Sequence, residues 1–276
     1  MLPNGPEAVV REPVDLDLGG LRVRSLDGGV LGFTAKVADR EIVIWLAARP
    51  ALIQGSGFSV LVDAGFGPAD PTRREKFRLQ DPRPIDEQLA DLGLPAGPDL
   101  LLLTHLHFDH AGGALRATER GEETLRFPKA EIALHRAEWD AALADGRGSH
   151  QAARIAKALG GQVPRFLDLS QPSDQEPFPG IQVELVEGHT EGLLMIRAQG
   201  SRSACLIPTD LVPTRRFLAP RLDKIADQNP ELALQTRQRV LDAAAARSDH
   251  ILFYHDPAVP SAKLQSTPDG VRLTGS

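Results

Sequence analysis

A chain of 276 residues suits one large α/β domain or two small ones and is long enough to bury a core. Apolar residues make up 42% and charged residues 25%, the balance of a globular protein, and a net charge of −6 with no visible basic patch argues against a nucleic-acid backbone as partner. The single cysteine, Cys205, excludes an intramolecular disulfide and a Cys-rich metal site, and it fits a reducing compartment.

The opening "MLPNGPEAVVREPVDLDLGG" carries no secretory pattern, and nowhere do about 18 apolar residues run together. The expectation is a cytoplasmic protein without a membrane partner. Strand-like runs follow at 21–26, 51–55 and 58–63, the last two joined by a hairpin at Gly55-Ser56-Gly57. "PIDEQLADLGL" (84–94) puts Ile85, Leu89 and Leu92 on one helical face and stops at Gly93. "DLLLLTH" (99–105) reads as a buried strand.

The pattern then recurs. "EIALH" (131–135) is a strand candidate, with helical "RAEWDAALAD" and "HQAARIAKALGG" behind it. Strands are expected at 181–188, 193–200 and 203–210, with a hairpin at Gly200-Ser201. The longest helix should begin at Asn229-Pro230-Glu231, Asn as N-cap and Pro at the first helical position, and run through "LALQTRQRVLDAAAA". "ILFYH" (251–255) closes the series. Each half reads as strands, helix and strand. The Pro- and Gly-rich stretches (3–6, 81–84, 95–98, 171–180, 257–260) read as loops rather than a linker, so one domain, residues 1–276, is expected.

The chemistry concentrates in "THLHFDHAGG" (104–113), which packs three of the eight histidines and one aspartate into six positions behind the apolar run Leu100–Leu103. A strand leaving its sheet turns residues two apart to the same side, so His105 and His107 can share one space. Asp109 and His110 would return to it from the loop, with Gly112-Gly113 giving a tight path into a following helix. Imidazole and carboxylate together suit Zn²⁺ and similar divalent ions. Four ligands from one loop would strain a single tetrahedral ion, whereas two ions sharing the site need partners from elsewhere. His189 in "EGHTEG", Asp210 in "IPTD" and His255 in "FYHDP" all stand at expected strand ends. His135, His150 and His250 read as structural, Cys205 as a small core residue, and the Arg73–Arg78 region as a solvated face.

Asp63 in "VDAG", "THLHFDHAGG", "GHTEG", Asp210 and His255, in this order, resemble the metallo-β-lactamase superfamily of dinuclear metallohydrolases. "FPKAEIALHRAEWDAA" and "PTDLVPT…NPELALQTRQRVLDAA…ILFYHDP" look closest to its lactonase-like and methyl-parathion-hydrolase-like branch. The resemblance implies an α/β (α+β) fold, the αβ/βα four-layer sandwich of two facing sheets flanked by helices. It implies one metal held by His105, His107 and His189, a second by Asp109, His110 and His255, and Asp210 bridging them. Two divalent ions are implied, zinc first, with Mn, Co or Fe also compatible.

On this reading a metal-bridging hydroxide attacks a small ester, a lactone foremost, with Asp109 as the catalytic group that orients it and carries its proton to the leaving group. Asp63 reads as structural, accepting loop N–H bonds or orienting a ligand histidine. Tyr254 should point away from His255 and pack, and Phe33, Trp45, Phe66 and Phe217 are candidate apolar lining. Acyl-homoserine lactonases of the superfamily carry a tyrosine shortly after the bridging aspartate; here Leu211-Val212-Pro213 stands there. Phosphotriester hydrolysis and β-lactam hydrolysis are the alternative activities, and a non-enzymatic metal-binding protein is the alternative of another class. The partner is a small molecule, and a homo-oligomer is left open.

Overall fold

The computed structural model describes residues 5–37, 40–69, 71–144, 151–223, 226–268 and 270–274; His150 and the reading made for it lie outside the described residues. Two sheets face each other. The first takes its seven strands from the N-terminal part, in the spatial order Asp15–Asp17, Arg22–Ser25, Ala51–Gly55, Phe58–Val62, Leu100–Leu102, Glu131–His135 and Arg165–Leu167. The second orders Ile181–Leu185, Leu194–Gln199, Ala204–Ile207, His250–Leu252, Ser261–Thr267 and Gly270–Thr274.

The alternation of strand side chains explains the layering. Ile53, Val60, Val62, Leu100, Leu102 and Ala133 point inward and meet Ile181, Val183, Leu194, Ile196, Cys205 and Leu252 of the other sheet in one core. Their neighbours Leu52, Leu61, Leu101, Leu103, Ile132 and Leu134 point outward, beneath Ile85, Leu89, Trp139, Ala142 and Ile155 of the outer helices. On the far side Met195, Leu206, Ile251 and Phe253 lie under Val240, Leu241 and Ala244 of the helix Pro230–Ala246. Helix, sheet, sheet, helix is the expected four-layer sandwich. A strand covered on both faces must be apolar at every position, which accounts for the unbroken Leu100–Leu103.

Phe58–Val62, Leu100–Leu102 and Glu131–His135 run parallel, so their C-terminal ends leave the sheet on one side. The helix Ile85–Asp91 makes the first crossover. Ala204–Ile207 and His250–Leu252 are likewise parallel in the second sheet. The Asn229 side chain accepts the Leu232 N–H at 3.1 Å, capping the long helix at the expected residue.

Several elements differ from the expected ones. The strand at 99–105 ends at Leu102 and the one at 251–255 spans His250–Leu252, because their last residues bend out of the sheet. A hairpin of Val30–Val37 and Arg40–Ala47 forms its own two-stranded sheet. Its run Ile42-Val43-Ile44-Trp45-Leu46 lacks the apolar–polar alternation that marks a half-buried strand. Asp15–Asp17, Leu115–Ala117, Glu123–Leu125 and Arg165–Leu167 are three residues each, too short for a period to show. The C-terminal hairpin Ser261–Thr267 and Gly270–Thr274 completes the second sheet.

Cys205 lies fully buried on the inner face, and burial pushes its thiol up to about 12. A folded pKa above the unfolded value near about 8.5 leaves stability whole below about pH 8.5 and removes it as pH rises through the alkaline range toward 12. Iodoacetamide at pH 8 is therefore expected to leave native Cys205 unlabelled and to label it once the chain unfolds, as mass spectrometry would report. Among the described residues no helix is long and apolar enough to cross a membrane.

Candidate metal centre

All seven expected site residues meet at one rim of the sandwich. Thr104 continues from the strand Leu100–Leu102, and its carbonyl accepts the Leu194 N–H at 2.9 Å, tying the chain to the second sheet as it leaves the first. His105 and His107 follow on this extended segment rather than on a strand. Asp109 and His110 sit in the short helix Phe108–Ala111, so the helix carries the second half of the motif instead of following Gly112-Gly113. His189 stands in the loop after Ile181–Leu185, and Asp210 in a 3-10 turn, Thr209–Leu211. His255 lies past the strand His250–Leu252.

The donor atoms form two sets. His105 Nε2, His107 Nδ1, His189 Nε2 and one Asp210 oxygen make the first; Asp109, His110 and His255 make the second, beside the other Asp210 oxygen. In the first set His107 Nδ1 lies 3.1 Å from His105 Nε2 and 3.3 Å from His189 Nε2, and Asp210 Oδ2 lies 3.3 Å from His189 Nε2. In the second, His110 Nε2 and His255 Nε2 are 3.2 Å apart and each is 3.2 Å from Asp210 Oδ1. Asp109 Oδ2 is 3.6 Å from His255 Nε2. Ligands about 2.0–2.1 Å from a tetrahedral zinc are separated by roughly 3.3 Å, so both sets have the spacing of a coordination shell.

Proton bookkeeping points the same way. His255 Nδ1 lies 2.6 Å from the Ala47 carbonyl oxygen, which can only accept, so the proton of a neutral ring sits on Nδ1 and Nε2 offers a lone pair. His110 Nδ1 likewise faces the Asp63 carboxylate at 2.8 Å. Two nitrogen lone pairs facing each other at 3.2 Å repel unless a proton or a metal cation lies between them. Asp210 Oδ1, buried, has no hydrogen-bond partner among the described residues. The donor set therefore fits a divalent ion at each position.

The local field agrees. Burial opposes a charge on His110, yet Asp210 and Asp63 outweigh it and hold its pKa well above the usual histidine range. Burial also opposes charge on His189, but Asp210 and Asp227 raise it. For Asp210 burial favours the neutral acid, and His110 and His255 overcome this to hold it well below the carboxylate range. Burial, followed by His110, pushes His105 well down. The carboxylates thus make a pocket that rewards positive charge.

The supports of the site are equally specific. Asp63 is completely buried, at φ 58°; its Oδ1 accepts Thr104 N–H and its Oδ2 accepts Thr104 Oγ1–H, each at 2.8 Å, while Oδ2 also faces His110 Nδ1. Both roles expected for it hold at once. Thr209, beside Asp210, has φ 45°, a left-handed conformation that costs a β-branched residue energy and is held by its surroundings. Asp227 Oδ1 lies 3.2 Å from His189 Nδ1. Glu138 accepts Leu106 N–H at 2.8 Å and Gly192 N–H at 3.3 Å, bracing two of the loops. Nothing in the sequence marks Asp227 and Glu138, because a single acidic residue near a helix start has no distinguishing pattern.

Gly113 is needed for close approach. A Cβ there would lie 1.9 Å from the Ala64 carbonyl oxygen, since the segment after Asp63 runs against the metal-loop helix. Gly113→Ala is expected to lose roughly 1–3 kcal/mol in urea unfolding and to weaken metal uptake, because the loop must shift to fit the methyl.

The Tyr254 ring does not point away: it stacks on His110, with centroids 4.0 Å apart and planes at 19°, and its hydroxyl donates to the Asp109 carbonyl at 2.8 Å. Strand alternation stops at Leu252, so it no longer sets this side chain's direction. Phe217 packs under the long helix and Trp45 in a small core with Val9 and Val30; Phe66 alone of the candidate lining residues joins Phe108 and Tyr254 beside the metal loop, and Phe33 is half-buried on the outlying hairpin. Leu211 and Val212 are buried in the outer core. The helix Pro71–Lys76 buries no residue, in keeping with a solvated face, although Arg73 lies over the Phe108 ring at 5.4 Å.

A four-layer αβ/βα sandwich with two histidine-rich donor sets at one rim defines the class. The chain belongs to the metallo-beta-lactamase superfamily, whose sequence pattern matches residues 45–255, about three quarters of its length. It is 29% identical over 162 residues to the N-acyl homoserine lactonase AiiA of Bacillus thuringiensis subsp. kurstaki, a match covering 57% of this chain and 56% of that protein. The chain thus spans little more than half the length of that relative. Among solved structures, a probable metal-dependent hydrolase from Staphylococcus aureus superposes with a TM-score of 0.78 at 20% identity, over 95% of this chain and 99% of the other. The dizinc quorum-quenching lactonase AidC gives 0.73 at 19% identity, over 96% and 97%. At such identities these likenesses establish the fold.

Proposed function

We propose that the protein is a metal-dependent hydrolase that binds two divalent ions, zinc foremost, through His105, His107, His189, Asp109, His110, His255 and a bridging Asp210, and that it opens a lactone ring. The observation that carries the reading is the shared carboxylate: Asp210 turns one oxygen to each donor set, and one of these oxygens is buried without a hydrogen-bond partner among the described residues. The likeness to AiiA and AidC favours a lactone among ester substrates.

When bound, the ions supply Lewis acidity and lower the pKa of water to near neutrality. The chain's own groups do the rest. Five imidazoles and only two carboxylates leave a pair of dications with excess positive charge, which favours an oxyanion developing from the ester carbonyl. Asp109 orients the attacking water and carries its proton to the leaving alkoxide. Tyr254 is unsuited to deliver that proton, because burial raises its pKa well above the usual phenol range and its hydroxyl hydrogen is spent on the Asp109 carbonyl. The hydroxyl instead holds the turn from which Asp109 projects.

The test is a pH-indicator assay with N-acyl homoserine lactones on zinc-loaded protein, beside a nitrophenyl phosphotriester and a β-lactam. Lactone turnover that exceeds the other two, and that Asp109→Ala abolishes, is the expected result. Turnover of the phosphotriester alone would move the substrate class to phosphorus; lactone turnover unchanged in Asp109→Ala would remove Asp109 from its role.

A further inference from the structure

Arg237 stands two turns into the helix Pro230–Ala246 and is only 1% exposed. A buried guanidinium has lost its water and must be repaid by acceptors. Here Nε donates to the Leu211 carbonyl at 2.5 Å, Nη1 to the Arg221 carbonyl at 3.1 Å, and Nη2 to Asp227 Oδ2 at 3.1 Å. Two of these acceptors are joined to candidate metal ligands. Leu211 follows Asp210 in one 3-10 turn, and the other oxygen of Asp227 faces His189 Nδ1. The Phe217 ring lies 4.6 Å from the guanidinium and closes its remaining side.

The start of the same helix holds the His189 loop by its backbone. Gln228 N–H donates to the His189 carbonyl at 3.2 Å and Asn229 N–H to the Gly188 carbonyl at 2.8 Å. Gly188 lies so close that a Cβ would meet Ala233 at 2.3 Å. The loop backbone is thus fixed at one end of the helix, while the His189 ring and the Asp210 turn are fixed from Arg237.

We propose that Arg237 is a positioning residue that, through Asp227, holds His189 in register as a ligand of the His105/His107/His189 ion. This rests on the two-ion reading above. A guanidinium suits this role because its planar fork binds a carbonyl and a carboxylate at a fixed angle, which an ammonium does not. Asp227, pinned by Arg237, in turn fixes the plane and tautomer of His189, the kind of support whose loss costs roughly 10- to 100-fold in metal affinity.

The experiment is zinc titration of metal-free protein against a competing chelator, with cobalt absorption as a second readout of coordination. Variants are Arg237→Lys, Asp227→Asn and the pair together, each checked for folding by circular dichroism. In each single variant one equivalent is expected to bind roughly 10- to 100-fold more weakly, the other to change far less, and the cobalt bands to shift. The double variant should lose no more than the weaker single one, because the two residues act in series. If Arg237→Lys does not fold, Asp227→Asn decides alone between selective loss and none. Unchanged affinity at both ions, equal weakening of both, or additive losses would overturn the proposal and leave Arg237 a tether of the helix. Wild-type protein that takes up no zinc would remove the two-ion reading itself, a result separate from any of these.

Discussion

Asp210→Ala is expected to abolish lactone turnover, with kcat/KM falling roughly 10³-fold or more, because water at the site loses the ions that lower its pKa. Asp210 gives one oxygen to each donor set, so it alone of the seven expected ligands serves both. Without it Asp109 is the only carboxylate left among the seven expected ligands, and zinc content measured after dialysis should fall from two equivalents toward none. Asp210→Asn keeps the side chain's volume and hydrogen-bonding shape while removing its charge. It should lose turnover nearly as completely, because the bridge needs an anionic oxygen on both sides. Full zinc content and activity in either variant would refute the bridging role.

The second large effect is expected at Asp63. Alanine there strands the Thr104 N–H, the Thr104 hydroxyl and His110 Nδ1 in a fully buried place. Each unsatisfied buried group costs about 1–3 kcal/mol, and alanine at φ 58° adds about 1–2 kcal/mol of backbone strain. A loss of about 4 kcal/mol or more in urea unfolding of the metal-free protein is therefore expected, at or above the scale seen when a buried ionic partner is removed. Affinity of the second ion should fall as well, by roughly 10- to 100-fold, because His110 is no longer oriented. Asp63→Asn separates the contributions: asparagine tolerates the left-handed backbone and can accept from Thr104, so it should recover much of the stability and less of the affinity. Wild-type stability in Asp63→Ala would contradict this account of the turn.

These two residues also show what a sequence can disclose. The residues that gather at the rim were legible because metal coordination demands particular atoms, and "HLHFDH" with His189, Asp210 and His255 downstream puts candidate donors into one ordered pattern, which the fold brings into two groups. Single strands were legible where the run was long enough, as at Phe58–Val62 and Ile181–Leu185, and the long helix announced itself through Asn229-Pro230, whereas their stacking into a sandwich was implied by the resemblance. Asp227, Glu138 and Arg237 were not legible. Each acts through one or two hydrogen bonds to a partner distant in the chain, and no local spacing records that. The Tyr254 direction departs from strand alternation because the strand ends at Leu252, two residues before it. The hairpin Val30–Val37 and Arg40–Ala47 escaped because it is apolar on both faces and pairs only with itself in its sheet.

Anomalous diffraction at the zinc edge, on crystals of protein resupplied with zinc, bears most directly on the whole account. Two peaks are expected beside Asp210. One should lie about 2.0–2.2 Å from donor atoms of His105, His107 and His189, the other at similar distances from those of Asp109, His110 and His255. No peak at Asp210, or density bound only by other residues, would contradict it.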